Sequence, residues 1–104
     1  MILTTSSQVQ GKTIKKTVGL VKGSTIRARN VGRDIMATLR GLVGGEITDY
    51  TKMMADAREQ ATQRMIQDAE RQGANAIVDM RFGTSMVMQG AAEVIAYGTG
   101  VVLE

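Results

Sequence analysis

The chain has no cysteine, histidine, proline or tryptophan among its 104 residues. Without Cys there are no disulfides, thiolate nucleophiles or thiolate metal sites, and the composition is consistent with a reducing cytosol. Without His, nucleophilic catalysis of the Ser-His or Cys-His kind lacks its base. With no Pro, low-complexity run, repeat or composition break, nothing marks a linker, so residues 1–104 read as a single domain. The aromatics are Phe82, Tyr50 and Tyr97, so the core must come from Val, Ile, Leu, Ala and eight Met. A domain of this size buries only about two-thirds of the surface its unfolded chain exposes, so its core is marginal alone and gains from a partner surface.

The N-terminal run MILTTSSQVQGK has neither a basic nor an apolar leader segment, and no stretch approaches the ~18 apolar residues of a membrane span. The expectation is a soluble, cytoplasmic protein that does not bind membranes. The net charge of +3 is carried by Lys12, Lys15, Lys16, Lys22, Arg27, Arg29 and Arg33, against Asp34 alone among acids in the first forty residues. Such asymmetry fits either a polyanion footprint or a solvated strand face whose lysines discourage edge pairing. The strand face is favoured, because the aromatic or Arg stacking platform of a nucleic-acid surface is not visible, and nucleic acid is not an expected partner.

Ile14, Val18, Leu20, Ile26 and Ala28 share one parity, and Thr13, Lys15, Thr17, Thr25 and Arg27 the other, which predicts strand. Gly19 and Gly23 within it point to a bulge, a bend or a hairpin turn. Residues 2–5, ILTT, could add an edge strand. The period then changes: Val31, Ile35, Leu39, Leu42 and Val43 follow a helical spacing after an N-cap at Asn30, and Gly44 and Gly45 end that short helix. A long helix starts near Glu46, with Ile47, Tyr50, Met54, Ala57, Ala61, Met65 and Ala69 on one stripe and Gly73 as its left-handed terminator. Small alanines in the stripe let this helix lie close against a sheet.

Beyond Gly73, the residues Ala76, Val78, Met80, Phe82, Met86 and Met88 alternate with Asn75, Asp79, Arg81 and Ser85, which predicts a strand with one core face. Gln89 and Gly90 fit a turn into a returning strand. There Val94, Ala96 and Val102 share one parity, and Ile95, Tyr97, Val101 and Leu103 the other. One helix layer cannot cover both faces, so the second set is expected to pack on another subunit.

Chemistry-bearing residues are sparse. The stretch GLVGGE lacks the Lys-Ser/Thr ending of a phosphate loop, and its glycines serve better as a joint between helices. Glu46, Asp49 and Tyr50 cluster at a helix start, where acids also suit the helix dipole; as oxygen ligands they would take hard ions. Asp79, Arg81 and Glu93 on the expected hairpin would form ion pairs across strands or subunits, or polar groups lining a channel. Met53, Met54, Met86 and Met88 read as core filler rather than soft-metal ligands.

The run RDIMATLRGLVGGEITDYTKMMADAREQATQRMIQDAERQGANAIVDMRF, with EVIAYGTGVVL after it, resembles the YbjQ-like family, a group of unknown function also labelled a heavy-metal-binding domain. The resemblance rests on Arg33 and Asp34, the VGG at 43–45, Tyr50, Ala57 and Arg58, GANA at 73–76 and YGT at 97–99. It implies a dodecin-like α+β subunit, an antiparallel sheet on one long helix with a short helix before it in the order β-α-α-β-β, assembled as a homopentameric ring. It implies a metal as cofactor, although soft metals want thiolate or imidazole. The leading functional expectation is therefore a non-enzymatic homo-oligomer. The alternatives are a carrier or sensor of a small ligand or metal between subunits, and an enzyme using Arg33, Asp34, Tyr50 and Arg58.

Overall fold

A computed structural model describes residues 1–28, 45–88 and 90–104, and the side chains of all of these except 28 and 45–50. The elements are β1 (Ile2–Leu3), β2 (Ile14–Ala28), α1 (Gly45–Arg71), β3 (Ala76–Met88) and β4 (Ala91–Leu103). They build one sheet in the order β1-β3-β4-β2, with α1 lying across β2 and β4. β4 pairs antiparallel with both β3 and β2, whereas β1 runs parallel to β3. The sheet is thus mixed rather than antiparallel, because 2–3 joins an edge that the chain regains only after the helix. The expected short helix over 31–43 and its N-cap lie outside the described residues.

The stripe of α1 is as the spacing predicts: Ala57, Ala61, Met65 and Ala69 are all fully buried. Its end is a Schellman motif, with the Ala74 amide donating to the Ala69 carbonyl, the Gly73 amide to Glu70, and Gly73 at φ 87°. The alanines let the helix approach until Gly23 of β2 touches its backbone. A Cβ on Gly23 would overlap the Met65 amide nitrogen and lie 2.5 Å from the Ala61 carbonyl oxygen.

Val21, Ile77, Val94 and Ala96 complete the core under α1. A second, smaller cluster of Ala76, Val78 and Val101 occupies the opposite face, where Val9, Ile14 and Leu103 pack against it. The chain's own N-terminal segment therefore covers that end of the far face.

Two strands depart from simple alternation. β2 is one continuous strand, but its pairing with β4 shifts register between Ile14 and Lys16 and again between Thr17 and Gly19, where Gly19 takes φ 128°. A bulge adds one residue and swaps which parity faces the core. Val18 accordingly packs under the helix, whereas Leu20 and Ile26 stand 62% and 61% exposed on the far face. The shared parity of Val18, Leu20 and Ile26 does not put them on one face, because the shift at Gly19 falls between them, and Val21, Gly23 and Thr25 face the helix. In β3 the shift falls between Val78 and Arg81, around Asp79 at φ 55°. Ala76 and Val78 therefore sit on the far face, while Met80 and Phe82 sit on the helix side, the reverse of one uninterrupted core face.

The chain is elongated, with extents of 55 × 22 × 16 Å and a radius of gyration of 17.2 Å. A compact chain of this length would have a radius of about 13 Å.

Gly23→Ala should cost at least about 1–3 kcal/mol, because the added methyl meets helix backbone rather than a side chain that can swing away. Gly23 lacks a positive φ, so backbone strain plays no part. Denaturant unfolding of the two chains at equal concentration measures the loss.

Candidate interaction surface

Beside the buried stripe of α1 runs a polar one at i, i+4, i+8 and i+12: Gln60, Arg64, Asp68 and Gln72. Each reaches β2. Gln60 Oε1 accepts from Thr25 Oγ1 at 2.7 Å and from Arg27 Nη2 at 3.0 Å. Arg64 Nη1 donates to the Ser24 carbonyl at 2.6 Å. Asp68 Oδ2 accepts the Lys22 amide at 3.0 Å, and Gln72 Nε2 donates to the Leu20 carbonyl at 3.4 Å. The lengths match, since twelve helical residues rise roughly 18 Å and the five strand residues from Thr25 back to Leu20 span roughly 17 Å. The ladder thus occupies backbone groups on the outer edge of β2, which another strand would otherwise use. At its Arg27 end one buried atom, Nε, has no partner among the described residues, a cost of desolvation that burial elsewhere offsets.

The Asp68 carboxyl is held below its ordinary value of 3.8, first by the hydrogen bond from the Lys22 amide; desolvation opposes this, and Gln72 and Arg71 lower it further. Arg71 lies 3.6 Å away at the helix end.

On the far face, away from α1, register aligns side chains in rungs. Lys22, Tyr97 and Arg81 form one; Ser24, Ile95 and Gly83 the next; Ile26, Glu93 and Ser85 a third. Leu20 stands beside Thr99. Tyr97 is 39% exposed and Ile95 is half-buried. Val101, expected on an interface with Ile95, Tyr97 and Leu103, is instead buried within its own chain, where Val9, Ile14 and the partly buried Leu103 pack against its cluster. The uncovered part of this face is thus Leu20, Ile26, Ile95 and Tyr97.

A second strip lies on the C-terminal half of β3. Phe82, Met86, Val87 and Met88 are 46%, 72%, 57% and 66% exposed. Phe82 and Met86 pair with Ala96 and Ala92 on the helix side, but α1 covers β2 and β4 and barely reaches β3. Met86 and Met88 are therefore surface, not core filler: the helix falls short of Met86, and the register shift after it pairs Met88 with Ala91, on the other parity of β4.

Among the described residues, the remaining expected site residues Arg58, Arg81 and Glu93 are not brought together into one site. Arg33 and Asp34 lie outside the described residues. Glu46, Asp49 and Tyr50 fall in the first two turns of α1, their side chains not described. Arg58 is exposed on that helix, its carbonyl accepting from Thr62 Oγ1. Asp79 occupies the β3 bulge, its amide donating to the Ser6 carbonyl. Arg81 donates to the carbonyls of Thr5 and Met80. Arg81 and Glu93 share a face, yet their rungs are four residues apart along β4, roughly 13 Å. The ladder from Gln60 to Gln72 went unnoticed in the sequence, although four polar residues at spacing four flanking an alanine stripe are a readable signal.

With the geometry in place, comparison with known proteins defines the class. The chain belongs to the family described as "Putative heavy-metal-binding", whose model matches residues 1–104. Among its relatives are proteins named UPF0145. One from Methanosarcina acetivorans is 56% identical over 97% of this chain and 95% of its own length. Another, from Dehalococcoides mccartyi strain BAV1, is 57% identical over the whole of both chains, and one from Clostridioides difficile strain 630 is 55% identical over 100% and 93%. A crystal structure of a Pediococcus pentosaceus protein of unknown function, assigned to the DUF74 family, shares the fold at TM-score 0.70 and 20% identity, covering 100% of this chain and 98% of that one.

The donors of this chain do not fit the soft ion in the family description. There is no Cys or His, and among the described residues no three Asp or Glu come together as a metal-binding group. Thioethers of Met86 and Met88 are exposed, without the thiolate or imidazole that such ions select. Among the described residues, no helix is long and apolar enough to cross a membrane.

Asp68 gives a pH prediction. Its folded pKa lies below the unfolded one, so its stabilisation is fully present above the ordinary value and is lost as pH falls through the folded value. Asp68→Asn should be less stable than the parent at pH 7, and the gap should close in acid, read by urea unfolding across pH.

Proposed function

We propose that this protein is a self-assembling subunit whose copies form a closed homo-oligomer, a pentamer in keeping with the YbjQ-like resemblance, and that its role is interaction rather than catalysis. The observation that carries this reading is the pair of uncovered apolar patches: Leu20, Ile26, Ile95 and Tyr97 on the far face, and Phe82, Met86, Val87 and Met88 on the β3 arm. Solvent-facing apolar groups in such strips mark interaction sites. Phe82 and Met86 lie on the helix side of the sheet and the first patch on its far face, so a head-to-tail contact, with one patch of each copy against the other patch of the next, covers both by repeating one interface. Such a contact closes into a ring when its rotation permits. The elongated shape agrees, since a chain with a radius of gyration of 17.2 Å leaves much surface for neighbours to cover.

Light scattering on the eluting species at micromolar concentration should give a closed multiple of the 11.2 kDa chain, five in this reading. A stable monomer there would end the proposal. Leu20→Lys with Ile26→Lys, both outside the core, should leave the far-ultraviolet circular dichroism unchanged and reduce the assembled mass.

A further inference from the structure

We infer that the polar ladder of α1 is an autoinhibitory contact: it withholds the outer edge of β2 from strand pairing, and the partner it excludes is the β2 strand of a second copy. The inference does not rest on the assembly reading above, since it concerns a surface that the intact chain keeps closed.

β2 is an edge strand of the sheet, fifteen residues from Ile14 to Ala28. Between Thr17 and Ile26 its one charged residue is Lys22, and Leu20 and Ile26 stand exposed on the far face. A long edge with apolar side chains is a template for another strand unless something prevents it.

The ladder is placed to prevent it. Along an antiparallel edge strand, alternate residues turn their backbone groups to the partner and to the open side. The groups that α1 bonds are the Leu20 carbonyl, the Lys22 amide and the Ser24 carbonyl. All belong to alternate residues, so they lie on one side of the strand, the side away from β4. Helix and strand run in opposite directions here, with Gln60 at Thr25 and Gln72 at Leu20, so the cover is continuous over this stretch.

The strand thus covered is complementary to itself. Two copies paired antiparallel about a twofold axis at Gly23 set Lys22 opposite Ser24, Val21 opposite Thr25 and Leu20 opposite Ile26. No like charges face each other in this register, and the two exposed apolar residues of the strand meet across the axis. Residues 22 and 24 would then exchange amide and carbonyl bonds, and the Lys22 amide and the Ser24 carbonyl are the groups that Asp68 and Arg64 hold at 3.0 and 2.6 Å. The ladder therefore competes for the same bonds that a second β2 would make.

The test uses the full-length chain with Arg64→Ala, Asp68→Ala and Gln72→Ala together, which removes the ladder and leaves a good helix former at each place. By light scattering this variant should show at least roughly double the mass of the parent, whatever that mass is. In hydrogen exchange its Lys22 amide should remain as slow as in the parent, because a strand has replaced Asp68. Adding Ser24→Pro, which removes an outward amide at the axis and is tolerated on an edge, should restore the parent's mass and make the Lys22 amide exchange fast. Should the triple variant lose its far-ultraviolet circular dichroism, Asp68→Ala alone frees the Lys22 amide and takes the same readouts. A folded variant of unchanged mass overturns the inference, as does added mass with a fast Lys22 amide or added mass that Ser24→Pro does not remove. A monomeric parent ends the assembly reading and leaves this one standing.

Discussion

The contact between α1 and β2 at Gly23 is the constraint on which the rest of the molecule depends. With a hydrogen in place of a side chain, the strand meets the helix backbone at Met65 and Ala61. Ala57, Ala61 and Ala69 make this approach possible from the helix side. At that separation the polar side chains from Gln60 to Gln72 reach the strand's own backbone. Apolar burial and edge protection thus come from two adjacent stripes of the same helix.

That placement also decides what is left uncovered. A helix drawn tightly over β2 and β4 cannot also cover β3, so Phe82 and Met86 remain exposed although they lie on the helix side of the sheet. On the far face, Val9 and Ile14 cover Val101 but do not extend to Ile95 and Tyr97. Among the described residues, the surfaces offered to neighbours are therefore the remainder after two covers of limited length. Family membership agrees with a shared fold and assigns no chemistry, and the residues present give soft-metal binding no donor set.

The local elements were legible where one signal dominated. Spacing gave α1 its buried stripe and Gly73 its end, and apolar residues of both parities marked β4 as a strand with two apolar faces. What misled was alternation in β2 and β3. Reading Leu20 and Ile26 with Val18, or Phe82 with Val78, assumes that register is unbroken, and the bulges near Gly19 and Asp79 break it. Gly19 hinted at its bulge; Asp79, a residue with a Cβ at positive φ, gave no such sign. The candidate site fared worse, because Arg81 and Glu93 were grouped by face alone, while only the ladder with β4 shows the rungs between them.

By itself, the sequence determined the element types, the close-packing helix and the absence of thiol and imidazole chemistry, because propensity, period and composition are properties of neighbouring residues. Tertiary structure alone decided which side of each bulge faces the core, that β1 runs parallel, and that the outer edge of β2 is capped by side chains of the helix. Those outcomes depend on pairing partners tens of residues away, and a one-residue shift in register reverses every face that follows.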